Sequence, residues 1–347
     1  MSQPTPGPDG EPSSLTVAGA VVPPGERRDL APLVSESYTG DRTTLPLAVV
    51  NGAADGPVVF VTAAIHGDEL NGIAICRQLL PDLDPATLRG AVLVVPIANV
   101  LGAQTRSRYL PDRRDLNRSF PGTSKGSMAS RIARIIHEEV VRGASAGIDL
   151  HTAANRRANV PQLRIDTSDP RALELARAFG APYVLDASLR PGSLRESARQ
   201  RGVPVLTYEA GEPLRFDDDA IRIGLDGILR VLHDLDMIDD APPPPGDPPL
   251  VMHESTWLRA DRGGILELHV GWGDHVEEGQ PVWTTTSPLG AERATMESPV
   301  DGVVIGGTTI PLVAPGDAVM HVGVLGDRPA WEDDPSDEED DADDTEA

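Results

Sequence analysis

Along this chain, continuous apolar runs of strand length alternate with segments whose apolar residues recur at helical spacing. Pro57 to Ile65 and Ala91 to Ile97 read as buried strands, and Ile148 to Thr152, Pro182 to Asp186 and Val203 to Tyr208 as shorter ones. Between them, Ile73, Cys76 and Leu80 mark one helix; Met128, Ile132, Ile135, Ile136 and Val140 mark another, closed by Gly143. Asp169-Pro170 opens a third that Gly180 stops, and Ser193 with Glu196 makes a capping box for a fourth ending at Gly202. Ile221, Leu225, Ile228, Leu229 and Leu232 carry a fifth. Short runs from Leu15 to Asn51, broken by Pro23-Pro24-Gly25 and Tyr38-Thr39-Gly40-Asp41, predict antiparallel strands at a sheet edge. Strands alternating with helices predict an α/β fold with a parallel or mixed sheet.

The pattern changes after the stiff segment Pro242 to Pro249. Beyond it, short strands lie between glycine turns such as Gly271-Trp272-Gly273 and Asp301-Gly302, as in a small all-β module. The expected organisation is a disordered leader at 1–14, an α/β domain at 15–241, a linker at 242–249, a β domain at 250–327 and a disordered acidic tail at 328–347.

Charge narrows the partners. The chain carries a formal net charge of −24, and eleven of its acids fall between Glu332 and Glu346. That balance excludes nucleic acid and an anionic membrane surface as the main partner. The longest nearly apolar stretch, Ala91 to Ala103, contains Pro96 and Asn99 and is too short to span a bilayer. With no secretory pattern at the N-terminus, a cytoplasmic protein is expected. Cys76 is the only cysteine, which rules out an intrachain disulfide framework. Oligomeric state stays open, a homo-oligomer included.

Chemistry gathers where strands end. The run Phe60 to Ile65 stops at His66, Gly67 turns the chain, and Glu69 follows, so an imidazole and a carboxylate leave one turn together, a pairing suited to Zn²⁺. His151 ends another strand and is the candidate third ligand; Asp149, two residues earlier, is placed to orient it. Two histidines and one glutamate leave a coordination position open, as catalytic zinc requires. Glu209 ends the strand Val203 to Tyr208 and is the candidate general base, ahead of Glu212 in a more exposed turn. The segment Arg106 to Gly122 is dense in arginine within an acidic chain and offers bidentate donors to a carboxylate.

The ordered set His66-Gly67-Asp68-Glu69, Asp115-Leu116-Asn117-Arg118-Ser119-Phe120, Asp149-Leu150-His151 and Glu209 resembles the succinylglutamate desuccinylase/aspartoacylase family, zinc-dependent relatives of the M14 carboxypeptidases, over roughly residues 58–232. The resemblance implies a zinc-carboxypeptidase-like mixed sheet flanked by helices, plus a small C-terminal all-β, barrel-sandwich-like domain bordering the active-site channel. It implies one Zn²⁺ per chain on His66, Glu69 and His151, with Glu209 as general base and acid. Asn117 and Arg118 would grip a substrate carboxylate, Arg108 would polarise the scissile carbonyl, and Arg199 falls where the family often has a further carboxylate-binding arginine. The implied reaction is deacylation: hydrolysis of the amide of a small anionic N-acylated amino acid. A peptidase or esterase of the same zinc fold, or a non-catalytic metal- or carboxylate-binding module, are the alternatives. Ser298 to Val304 resembles a strand of biotinyl/lipoyl-type modules, but Lys125 is the only lysine, so covalent biotin or lipoate is excluded there. The other histidines, His137, His233, His253, His269, His275 and His321, are expected to be ordinary core or surface residues.

Overall fold

The computed structural model describes residues 12–325; the predicted tail at 328–347 and most of the leader lie outside the described residues. Thirteen strands form one mixed sheet: β1 (Glu26–Leu30), β2 (Leu47–Asn51), β3 (Ala54–Ala63), β4 (Arg89–Val95), β5 (Ala146–His151), β6 (Arg157–Ile165), β7 (Tyr183–Asp186), β8 (Val205–Gly211), β9 (Leu250–Met252), β10 (Glu254–Arg259), β11 (His275–Val276), β12 (Gly302–Thr308) and β13 (Ala318–Val324). The hydrogen-bonded order is β10-β13-β12-β6-β8-β5-β3-β4-β2-β1, with β7 bridging β6 and β9, and β11 on β12. Strands β4, β3, β5 and β8 run parallel, while β6 returns antiparallel to β8.

Burial on both faces explains the unbroken apolar runs at the centre of this sheet. One face packs on α1 (Asn71–Asp82), α4 (Pro170–Phe179) and α6 (Asp218–Asp234), through residues such as Val59, Val61, Ile148, Leu206, Ile75, Phe179 and Ile228. The other face meets α3 (Met128–Ile136) and α5 (Leu194–Arg199), with Phe60, Leu93, Ile132, Ile136 and Leu194 between them. A short helix, α2 (Val100–Thr105), follows β4, and its N-cap Asn99 accepts from Gly102 N. The caps of the later helices are those expected from their sequences: Asp169 accepts from Arg171 N, and Ser193 accepts from Glu196 N.

The apolar pattern marks no strand between Thr152 and Asp169, yet β6 lies there and carries polar side chains into the centre of the molecule. The C-terminal region is all-β, as expected, and part of it continues the main sheet. Beyond the proline-rich segment, β9 pairs in parallel with β7, and β12 pairs antiparallel with β6 at Arg157, Ala158 and Asn159. A separate four-stranded antiparallel sheet (264–268, 281–286, 292–297 and 312–313) packs against β10, β12 and β13 around Trp283, Val304, Met320 and Val322. Among the described residues, no helix is long and apolar enough to cross a membrane.

Candidate active site

The C-terminal ends of β3, β5 and β8 open into one cleft of about 460 Å³. β3 stops at Ala63; Ala64 then takes a left-handed conformation, and its carbonyl is held by Asn99 N, which swings His66 inward. Gly67 is required by this turn. A Cβ there would lie 2.1 Å from the Gly102 carbonyl carbon and 2.2 Å from Ala103 N, both backbone atoms of α2.

His66, Glu69 and His151 are buried together, at 3%, 2% and 4% exposure. His66 Nδ1 lies 2.7 Å from Glu69 Oε1, and His151 Nδ1 lies 2.7 Å from Glu69 Oε2. One donor atom from each falls within 4.8 Å of the others. The His66–Glu69 approach is close but lacks hydrogen-bond alignment, which leaves His66 Nδ1 a buried polar atom without a partner. Each imidazole is tied down by its other nitrogen. His151 Nε2 pairs with Asp149 Oδ2 at 2.8 Å, and Asp149 Oδ1 accepts from Thr62 Oγ1 at 2.8 Å. His66 Nε2 pairs with Asp115 Oδ1 at 3.2 Å. A proton held at each Nε2 leaves both Nδ1 lone pairs aimed at the same point. An unpartnered buried imidazole nitrogen, a second imidazole and a carboxylate, all convergent, fit Zn²⁺.

Electrostatics bind the cluster. Burial works against charge on Glu69, but the His66 and His151 imidazoles outweigh it and hold the carboxyl well below its usual range. Burial likewise disfavours the two imidazolium forms, yet Glu69 beside His66, and Asp149 with Glu69 beside His151, raise both histidines. For Asp115, burial is overcome by His66 and Arg108, and its carboxyl sits at about 2. Glu69 also accepts from Thr152 N and from Arg108 Nη1, the latter at 2.9 Å.

Glu209 stands beside the cluster by register. β5 and β8 pair in parallel with Glu209 opposite His151 and Thr207 opposite Asp149, so the two side chains leave the sheet on the same side. Asn117 and Arg118 sit on a 3-10 turn (Leu116–Arg118) capped by Asp115. Asn117 Oδ1 accepts from Leu194 N, which leaves its Nδ2 for the cleft, and Arg118 lies exposed at the rim. Of the eight residues expected in the site, seven line this cleft. The eighth, Arg199, does not: its side chain is 46% exposed and stands 3.6 Å from Asp169, outside the lining.

Residues that sequence reasoning passed over complete the walls. Arg195, one helical turn before Arg199, donates Nη2 to the Ala187 and Ser188 carbonyls while its buried Nη1 has no partner. Burial, with Arg164 nearby, lowers the Arg195 guanidinium. From β6 come Arg157, Asn159 and Arg164. The C-terminal strands add Trp257 and His321, adjacent in register, with rings stacked at 4.5 Å and 6°, and Arg157 lies 4.6 Å from the Trp257 ring. His321 is therefore no ordinary core histidine: it lines the cleft, and burial with Arg164 and Arg157 nearby pushes it down to about 3. His137, by contrast, pairs with Ser197 and Arg201 away from the cleft.

A sequence profile of the succinylglutamate desuccinylase/aspartoacylase catalytic domain matches residues 55–235, just over half of the chain. An N-alpha-acetyl-L-2,4-diaminobutyric acid deacetylase of Halomonas elongata is 29% identical over 262 residues, covering 72% of this chain and 76% of that protein. A succinylglutamate desuccinylase of Burkholderia cenocepacia is 38% identical over 122 residues, 31% of this chain and 35% of that protein. Among solved structures, a succinylglutamate desuccinylase/aspartoacylase from Rhodobacter sphaeroides superposes with a TM-score of 0.77 at 27% identity, covering 86% of this chain and 96% of that one.

Proposed function

The chain belongs to the succinylglutamate desuccinylase/aspartoacylase family, and on that premise we propose that it hydrolyses the amide of a small N-acylated amino acid, with one Zn²⁺ on His66, Glu69 and His151. The observation that carries this reading is the convergence of the His66 and His151 Nδ1 atoms and the Glu69 carboxylate, with Glu209 facing the same space from the next strand. Held by these residues, Zn²⁺ would supply Lewis acidity, which lowers the pKa of water and polarises a carbonyl.

The protein's own groups do the rest. Glu209 accepts the proton of the attacking water on a carboxylate oxygen and returns it to the departing amine nitrogen. Arg108, anchored through Nη1 on Glu69, turns its remaining N–H groups toward the scissile carbonyl oxygen as negative charge grows there. Asn117 Nδ2 and the Arg118 guanidinium bind a substrate carboxylate.

The substrate class follows from the charges left over. Arg108, Arg118, Arg157, Arg164, Arg190 and Arg195 line the cleft against four acids, Glu69, Asp149, Asp186 and Glu209, of which Asp149 and Glu69 are committed to the histidines. An anionic N-acyl amino acid answers that imbalance. Its second anionic group goes to Arg195, whose unpartnered Nη1 makes it the arginine for the role that sequence position suggested for Arg199. The test is Glu209→Gln assayed against N-acetyl and N-succinyl amino acids. We expect stoichiometric zinc retained and turnover reduced by at least about a hundredfold, the lower end of what a general base contributes; a fully active variant would remove Glu209 from the reaction.

A further inference from the structure

Glu209 is held from one side by a single strand. Asn159 Nδ2 donates to Glu209 Oε2 at 2.7 Å, and Arg164 Nε stands 3.5 Å from Oε1 as a charge partner without a hydrogen bond. Both belong to β6, five residues apart, an odd separation that in a regular strand sends side chains to opposite faces. The register explains how they share a face. Asn159 pairs with Gly211 and Gln162 with Glu209, so β6 spends three steps where β8 spends two. One extra residue bulges out at Val160-Pro161 and restores the parity, so Arg157, Asn159 and Arg164 all reach the cleft while Leu163 and Ile165 stay in the core under the helices. Pro161, without an N–H, suits a position released from the ladder.

The Asn159 amide is braced from behind. Gly306 of β12 is its partner across the sheet, and a Cβ there would come within 2.6 Å of Asn159 Oδ1 and 2.5 Å of the Ala158 carbonyl oxygen. The C-terminal strand thus closes against the back of the side chain that touches Glu209.

We infer that Asn159 is a positioning residue, holding the Glu209 carboxylate in the orientation that proton transfer needs, with β12 fixing Asn159 in turn. The inference rests on Glu209 being the base. Without the amide the carboxylate keeps its place on the strand but loses the partner that selects its rotamer. The loss therefore falls on turnover and not on substrate binding.

The experiment compares Asn159→Ala, Asn159→Asp and Glu209→Gln with the full wild-type chain, on the N-acyl amino acid it hydrolyses fastest, measuring kcat, KM, zinc content and Tm. For Asn159→Ala we expect kcat to fall about 10–100-fold, the usual effect of removing a partner of a site residue, with KM within about twofold and zinc and Tm unchanged. Asn159→Asp has the same shape but no donor and sets a second carboxylate against Glu209, so its loss should be at least as large; a side chain that merely fills space would tolerate it. Wild-type kcat in Asn159→Ala, or a loss that tracks lost zinc or a lowered Tm, overturns the inference. If Glu209→Gln is inactive while both Asn159 variants are normal, only the positioning role fails. A fully active Glu209→Gln sinks the base assignment and the inference with it.

Discussion

Asp149 offers the sharpest test of how the metal site is held. Its carboxylate is 1% exposed and accepts from His151 Nε2 and Thr62 Oγ1, each at 2.8 Å, and both partners are themselves buried. Asp149→Ala strands two buried donors at about 1–3 kcal/mol each, so the zinc-free protein should lose roughly 2–6 kcal/mol of stability. It also frees His151 to place its proton on Nδ1, the nitrogen needed as a ligand, and a lost partner of this kind weakens metal binding about 10–100-fold. That is about 1.4–2.7 kcal/mol. Asp149→Asn separates charge from geometry. It keeps the shape and one acceptor oxygen for His151 Nε2, while its amide can donate to Thr62 Oγ1, so zinc affinity should fall only a few-fold. The assay is a competition titration of zinc against a chromophoric chelator, paired with thermal denaturation of the chelated protein. If Asp149→Ala binds zinc within about twofold of wild type, the tautomer argument for His151 is wrong.

Two further outcomes can be read from the cleft walls. Arg195→Ala should raise KM about tenfold or more while kcat changes little, as expected for an interaction made equally in ground and transition states; Arg199→Ala should leave both near wild type, and the reverse result would restore the position suggested by sequence. His321 links the cleft to acid stability. Its folded value of about 3 lies below the ordinary 6.5, so between those pH values the unfolded chain binds a proton that the folded one refuses. The stability it contributes is complete above about pH 6.5 and is lost as pH falls toward 3. His321→Phe, which keeps a ring stacked on Trp257, should reduce the drop in Tm between about pH 7 and pH 4; an equal drop in both proteins would clear His321 of that role.

His66, Glu69, His151 and Glu209 were legible because each follows an apolar run, and a buried strand shows where the chain must emerge. Asp149 was legible for a related reason: two residues before His151 on one strand, it shares that residue's face. Asp115 lay in the motif without a role, since only the fold of a capped 3-10 turn carries it to His66. The arginine pair on α5 shows what spacing omits. Arg195 and Arg199 are four residues apart and lie on nearly the same helical face, but one turn, about 5.4 Å along the axis, separates the cleft from the Asp169 side. Periodicity gives the face of a helix and says nothing of how deep each turn sits.

β6 is the more instructive miss, because its sequence does carry a signal. Polar residues fall at 157 and 159, then at 162 and 164, with the alternation shifted by one at Val160-Pro161. Taken as one strand, that shift sends half of the polar side chains into the helices, and a proline at the break argues against a central strand, so a loop is the natural reading. The structure resolves the conflict with one surplus residue. The bulge absorbs Pro161, returns Leu163 and Ile165 to the core, and leaves Asn159 at one carboxylate oxygen of Glu209 and Arg164 at the other. A polar parity that flips across a proline, in a segment otherwise alternating like a strand, is thus better read as a bulged strand than as a loop. Local rules fail here because the site needs two side chains on one face that a regular strand would divide between two.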